Sequence, residues 1–155
     1  MKNIVLLGAT GSIGTSVLNV LRQNKEQFNL RAIALDQDLD SALKVDDEFH
    51  LESIFVASKN ISSEHPLFNS NANICYGQEA LKEIIQHPEV DIVISAIAGF
   101  AGLQGSFYAV DAGKTTLVAN KESIVAAGDI LLPLAAKRHA KIIPVDSEHN
   151  AIYQC

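Results

Sequence analysis

The sequence predicts an α/β domain, a doubly wound and mostly parallel sheet with helices on both faces. Short apolar runs of strand length alternate with segments of helical spacing, which is the order of a βαβ chain. Most runs are continuous β-branched and aliphatic stretches, as expected of strands covered on both sides. A glycine-rich turn also lies where the first run meets the first helical segment.

In chain order, the runs predict six strands: Ile4 to Leu7, Leu30 to Leu35, Ile54 to Ala57, Asp91 to Ala96, Thr115 to Ala119 and Lys141 to Val145. Ile13, Val17, Val20 and Leu21 recur at helical spacing and should form the inner face of a helix that begins at Gly11-Ser12. Leu81, Ile84 and Ile85 do the same for a helix stopped by His87-Pro88. The stretch from Ser58 to Asn73, rich in Ser and Asn, reads as a surface loop. After the last strand, Ala151, Ile152 and Tyr153 begin the apolar face of a helix that the sequence carries for only about two turns. The 155 residues are therefore expected to be the first part of a longer protein.

Composition narrows the partners. The net charge is −6 and no cluster of Lys and Arg stands ready to neutralise a row of phosphates, so nucleic acid is not expected. The first apolar run meets glycines too early for a signal peptide, and no run approaches the roughly 20 apolar residues of a membrane span. Cys75 and Cys155 match no metal spacing and read as reduced thiols, which suits a cytoplasmic protein.

Gly8-Ala9-Thr10-Gly11-Ser12-Ile13-Gly14 follows a predicted strand and opens a predicted helix, the context in which a glycine pattern signals a Rossmann-like dinucleotide site. Gly8 allows the tight turn, Gly11 lets amides approach a pyrophosphate, and Gly14 lets the helix press on the sheet. The alternative is a turn needed for packing alone. After the second strand, a carboxylate accepts hydrogen bonds from the ribose hydroxyls of NAD, whereas a 2′-phosphate calls for a cation. Asp36-Gln37-Asp38 stands there, so the residues themselves favour NAD, unless these acids point into solvent.

Two further segments follow predicted strands at their carboxyl ends, the ligand-binding rim of an open α/β sheet. In the first, Lys121 suits a substrate phosphate or carbonyl and Asn120 a cofactor amide, the alternative being an exposed Lys121-Glu122 pair at a helix start. In the second, Asp146 and Glu148 can aim two carboxylates at one hard cation, Mg²⁺ or Mn²⁺, with His149 a further candidate ligand. Ser147 suits either a helix cap or a substrate oxygen, and Asp146 as a plain cap is the competing reading.

Together, GATGSIG at 8–14, AGFAGL at 98–103, AGKTTLVANKESIVAAG at 112–128 and PVDSEHNAIYQ at 144–154 resemble the 1-deoxy-D-xylulose 5-phosphate reductoisomerase family over the whole chain. The resemblance implies an NADPH-dependent oxidoreductase of isoprenoid biosynthesis. Its reaction is a metal-dependent rearrangement and reduction of that phosphorylated sugar to 2-C-methyl-D-erythritol 4-phosphate. It further implies that Thr10, Gly11, Ser12, Ile13, Asn120 and Glu122 belong to the cofactor site, that Lys121 and Ser147 bind substrate, and that Asp146 and Glu148 hold the metal, Glu148 also touching substrate. Residues 1–145 would be the dinucleotide-binding domain and 146–155 the start of the catalytic and metal-binding region of a homodimeric enzyme, inactive as the 155 residues alone. One departure stands out: the family usually has a small residue, Lys and Asn where this chain has Asp36-Gln37-Asp38. Two other readings compete: the cofactor domain of a different dehydrogenase, such as a semialdehyde or homoserine dehydrogenase, and a non-catalytic nucleotide-binding remnant.

Overall fold

The structure, a computed structural model, describes residues 1–59, 61–97, 101–119 and 121–145, with the backbone alone at 101 and 121–123. Its strands are β1 (Lys2–Leu7), β2 (Phe28–Leu35), β3 (Ser53–Val56), β4 (Asn73–Cys75), β5 (Ile92–Ser95), β6 (Thr115–Val118) and β7 (Lys141–Pro144). The helices between them are α1 (Ser12–Gln23), α2 (Leu39–Phe49), α3 (Gly77–Gln86), α4 (Ala101–Asp111) and α5 (Lys121–Arg138).

All strand pairs are parallel, in the order β4-β3-β2-β1-β5-β6-β7. The chain therefore winds outward one way from β1 to β4, then returns to the other side of β1 and winds out through β7. The reversal lies between β1 and β5, and a crevice at the carboxyl ends of two such strands is where open α/β sheets bind ligands.

Alternation along the strands divides the core. Ile4 and Leu6 of β1 face α1 and α2, joining Leu18, Leu21, Ala42 and Val45. Val5 and Leu7 face the other way, toward Ile85 of α3 and Ala109 of α4. A third cluster, Val110 with Ala127, Leu131 and Ala135, fastens α5 to α4. Each fully buried aliphatic side chain contributes about 1.5–3 kcal/mol through its transfer from water.

Two expectations need correction. There are seven strands, because the stretch read as a surface loop ends in β4 at the sheet edge. That stretch also contains a 3₁₀ turn at Pro66–Asn69, whose Leu67 is wholly buried under α2 and whose first amide is capped by His65. Its Ser and Asn content masked two buried apolar residues, Leu67 and Ala72, with Ile61 and Phe68 packed beside them.

Second, the inner face of α1 is Gly14, Leu18 and Leu21, with Val17 partly buried against the same core, and Ile13 and Val20 are not part of it. Ile13 and Val20 are exposed, at 42% and 55%. The reason is local. Helices lie on both faces of the sheet as expected, α1 and α2 on one and α3 and α4 on the other, but among the described residues the α1 side of β5, β6 and β7 is an apolar groove, with Ile13, Val17 and Val20 as one wall and Ile92, Leu117 and Val145 along its floor. The expected helix after the last strand lies outside the described residues.

Candidate functional site

The glycine turn leaves β1 at its carboxyl end and is pinned to the neighbouring strand. The amides of Gly8 and Ala9 both donate to the Ala34 carbonyl of β2, at 2.8 and 3.2 Å, and the Gly11 amide donates to the Gly8 carbonyl at 3.2 Å. Gly8 adopts φ +83°, a conformation costly for any residue with a Cβ. A Cβ there would also lie 2.9 Å from the Ala96 carbonyl, where β5 ends. Gly14 is tighter still: its Cβ would stand 2.2 Å from the Gly8 carbonyl oxygen and 2.6 Å from that of Ala9. At Gly11 a Cβ would meet only that oxygen, at an ordinary 3.5 Å. The roles expected for Gly8 and Gly14, tight turn and close helix packing, are what the geometry shows.

Helix α1 begins here with Gly11 as its N-cap. No side chain caps it and no acidic residue stands in its first turn. Thr15 and Ser16 turn their hydroxyls back onto the Gly11 and Ser12 carbonyls, at 3.0 and 3.1 Å. The first-turn amides and the positive end of the helix dipole therefore face a cleft, an arrangement suited to a pyrophosphate. Thr10 is half-buried at its edge, while Gly11, Ser12 and Ile13 are exposed.

At the carboxyl end of β2, Asp36 and Asp38 behave differently. Asp36 is exposed, and its carbonyl accepts the Ser58 amide at 3.0 Å, which ties this position to the end of β3. Asp38 is the N-cap of α2, its carboxylate accepting the Ser41 amide at 3.1 Å. The bond to Ser41, aided by the nearby Lys44 charge, holds its carboxyl below the usual carboxylate range. Asp38 is thus neither of the two expected things, ribose reader or loose loop acid. An Asp immediately before an amphipathic run is a helix-start signal that the sequence displayed. Also unexpected were the backbones of Ala34 and Ala96, which form the floor of the turn and have no side-chain signature.

The other rim positions are only partly in view. Helix α5 starts at Lys121, directly after β6, so Lys121 and Glu122 belong to the carboxyl rim by backbone position. Asn120, Asp146, Ser147, Glu148 and His149 lie outside the described residues, as does the AGF part of the 98–103 motif. Among the described residues no group of three His, Cys, Asp or Glu is placed to hold a metal ion.

A parallel sheet of this order, with a glycine turn and an uncapped helix start at its switch point, defines a Rossmann-type dinucleotide-binding protein. Comparison with known proteins narrows the class. The family model for 1-deoxy-D-xylulose 5-phosphate reductoisomerase matches residues 4–128, and the chain belongs to that family. A reductoisomerase of Bacillus cereus (strain AH187) is 43% identical over all 155 residues, which span about 41% of its length. A crystal structure of DOX-P reductoisomerase in complex with NADPH, fosmidomycin and magnesium superposes with a TM-score of 0.91 at 40% identity, covering the whole chain and 39% of that protein. A homoserine dehydrogenase of Thiobacillus denitrificans, at 22% identity and a TM-score of 0.58, with 91% of the chain and 28% of that protein covered, shares the fold alone. No helix among the described residues is long and apolar enough to cross a membrane.

Proposed function

We propose that residues 1–145 form the nicotinamide-dinucleotide domain of a reductoisomerase and that 146–155 begin its catalytic and metal-binding region. The whole enzyme would then convert 1-deoxy-D-xylulose 5-phosphate to 2-C-methyl-D-erythritol 4-phosphate. The observation that carries this reading is the Gly8–Gly14 cradle, where a side chain at Gly8 or Gly14 would collide with backbone and where helix amides are left for an anion. A purely structural turn would explain the tight packing at Gly14. It would not explain a helix start without a cap on the ligand-binding side of the sheet.

In this reading the first turn of α1 binds the pyrophosphate through backbone N–H groups, and Thr10, Gly11, Ser12 and Ile13 approach closely because Gly8 and Gly14 on either side of them carry no side chain. Lys121, Asn120 and Glu122 extend the same rim toward substrate and nicotinamide. The dinucleotide, NADPH in the solved relative, supplies a hydride, and the chain supplies its placement. Asp146 and Glu148 would hold the divalent cation and Ser147 a substrate oxygen, by likeness of sequence. The rest of the substrate pocket would be supplied by the whole enzyme, a homodimer, consistent with the 41% of the relative's length that the chain spans.

The test is a titration of the chain with NADPH, followed by nicotinamide fluorescence, alongside the Gly14→Ala variant. Saturable binding that Gly14→Ala weakens at least tenfold is expected. Absence of binding by the folded chain would sink the proposal.

A further inference from the structure

We propose that the apolar groove over β5, β6 and β7 is the seat of residues 147–155, which return along it as a helix and so fix Glu148 at the rim. The inference rests on the reading above, in which Asp146 and Glu148 hold the cation, and deepens it. An apolar surface of this kind marks a place that another element covers. Ile13, Val17 and Val20 form its wall and Ile92 and Leu117 its floor. Its one polar lining residue, Ser16, has its hydroxyl turned back onto the Ser12 carbonyl at 3.1 Å. Among the described residues no charged side chain lines it, so it suits an apolar occupant.

The chain itself leads there. Val145 follows β7, donates its amide to the Val118 carbonyl at 3.0 Å, and lines the groove while remaining 36% exposed. Register puts Leu7, Ser95, Val118 and Pro144 in one row across the sheet, so a segment leaving β7 starts level with the turn that leads from β1 into α1. The opposite face of these strands is already taken by α4 and α5, which leaves the α1 face. Nine helical residues, 147–155, measure about 13.5 Å. The four residues of β6, at about 3.3 Å each, come to about 13 Å. One such helix therefore spans the floor.

The residues also fit by kind. At about 100° per residue, Ala151, Ile152 and Cys155 share one arc about 100° wide, and Ser147, Asn150 and Gln154 share another. With the first arc set on Leu117 and Ile92 and flanked by Val17 and Val20, apolar surface meets apolar surface. Glu148 lies on that same arc one turn earlier, at the carboxyl rim. Packing in the groove would thus set the depth and direction of a metal ligand through residues that touch neither metal nor substrate.

The experiment is a cross-link. Val20 stands eight residues on from Ser12 and Cys155 eight on from Ser147, each about 12 Å below its helix start. The chain first receives Cys75→Ala, which removes the thiol packed on the other face of the sheet. In that background Val20→Cys should be joined to Cys155 by a short bis-maleimide, giving a cross-linked monomer roughly tenfold faster than in denaturant. Adding Ile152→Asp should slow the reaction by a similar factor while the melting curve stays cooperative, and Val125→Cys, exposed on α5, in place of Val20→Cys should not react with Cys155. Covalent dimers would overturn the proposal in favour of a second copy in the groove. A rate no higher than in denaturant, or one that Ile152→Asp leaves unchanged, would overturn it too. The reaction is read without dinucleotide or metal, so its failure and a failure to bind NADPH are separate results.

Discussion

Replacing Gly14 by Ala puts one methyl group where the turn has no room. In a helix the exchange should by itself stabilise the chain, by at most about 1 kcal/mol, because alanine loses less conformational freedom than glycine. Here the added carbon would lie 2.2 Å from the Gly8 carbonyl oxygen, against a floor of 3.0 Å for real Cβ contacts. Both nearest oxygens are backbone, held by bonds to the sheet, so α1 itself must move by about 0.8 Å or the turn must unpin. Overpacking of that kind costs typically 1–3 kcal/mol. Taking the upper end because no flexible side chain can yield, the net loss is about 2 kcal/mol, or roughly 4–8 °C in melting temperature for a chain of this size. Thermal unfolding followed by circular dichroism measures it, with Gly11→Ala as companion because its Cβ has space. That second variant should lose only about 0.5–1 kcal/mol, the cost of alanine in place of glycine at an N-cap, with no packing penalty added. A Gly14→Ala protein that melts at or above the parent temperature would refute the close-packing argument and leave the motif without its structural reason.

Two other substitutions test the same logic elsewhere. Gly128 lies inside α5 with open space around its Cβ position, so Gly128→Ala should raise the melting temperature by the equivalent of about 0.5–1 kcal/mol; a fall would show that α5 is not helical there. Asp91 bonds Lys2 Nζ at 2.8 Å and the Asn3 amide at 2.9 Å, tying the start of β5 to the start of β1, and the Lys2 bond leads in holding its carboxyl below 3.8. A carboxyl depressed in the folded state stabilises above its unfolded pKa and loses that contribution as pH falls through the folded value. Asp91→Asn should therefore cost a fraction of a kcal/mol at pH 7, small because the pair is solvent-screened. The gap to the parent should close below pH 3.8 in a melting series, and a pH-independent gap would count against the ionic tie.

Much of the fold was legible because parallel strands buried on both faces announce themselves as unbroken apolar runs. All six predicted strands are present, and the first helix starts at the expected Ser12. What escaped notice did so for physical reasons. β4 is three residues at a sheet edge, led by an exposed Asn73, and an edge strand needs little apolar character. The Leu67 anchor carries no period because a single 3₁₀ turn has none. The face of α1 misled because Ile13, Val17 and Val20 are as apolar as core residues, yet they border the open groove over β5–β7. At the site, the glycines were readable as exclusions of volume. The capping bond of Asp38 was readable only by asking where α2 begins, and the seating of the His65 ring depends on a bond between residues 40 and 65 that no local pattern encodes.

The collision between a Gly8 Cβ and Ala96 has a further consequence, in time instead of space. Gly8 and its floor are separated by almost ninety residues, and β1 gains its partner β5 only when residues 92–95 are in place. Pairings of such span are slow to form, since the intervening chain must be ordered before they repay it. During synthesis the strand, turn and helix of the glycine motif would emerge first, with nothing to press against. The dinucleotide cleft is thus among the last features to be finished, although its glycine motif comes before every later strand of the sheet in chain order.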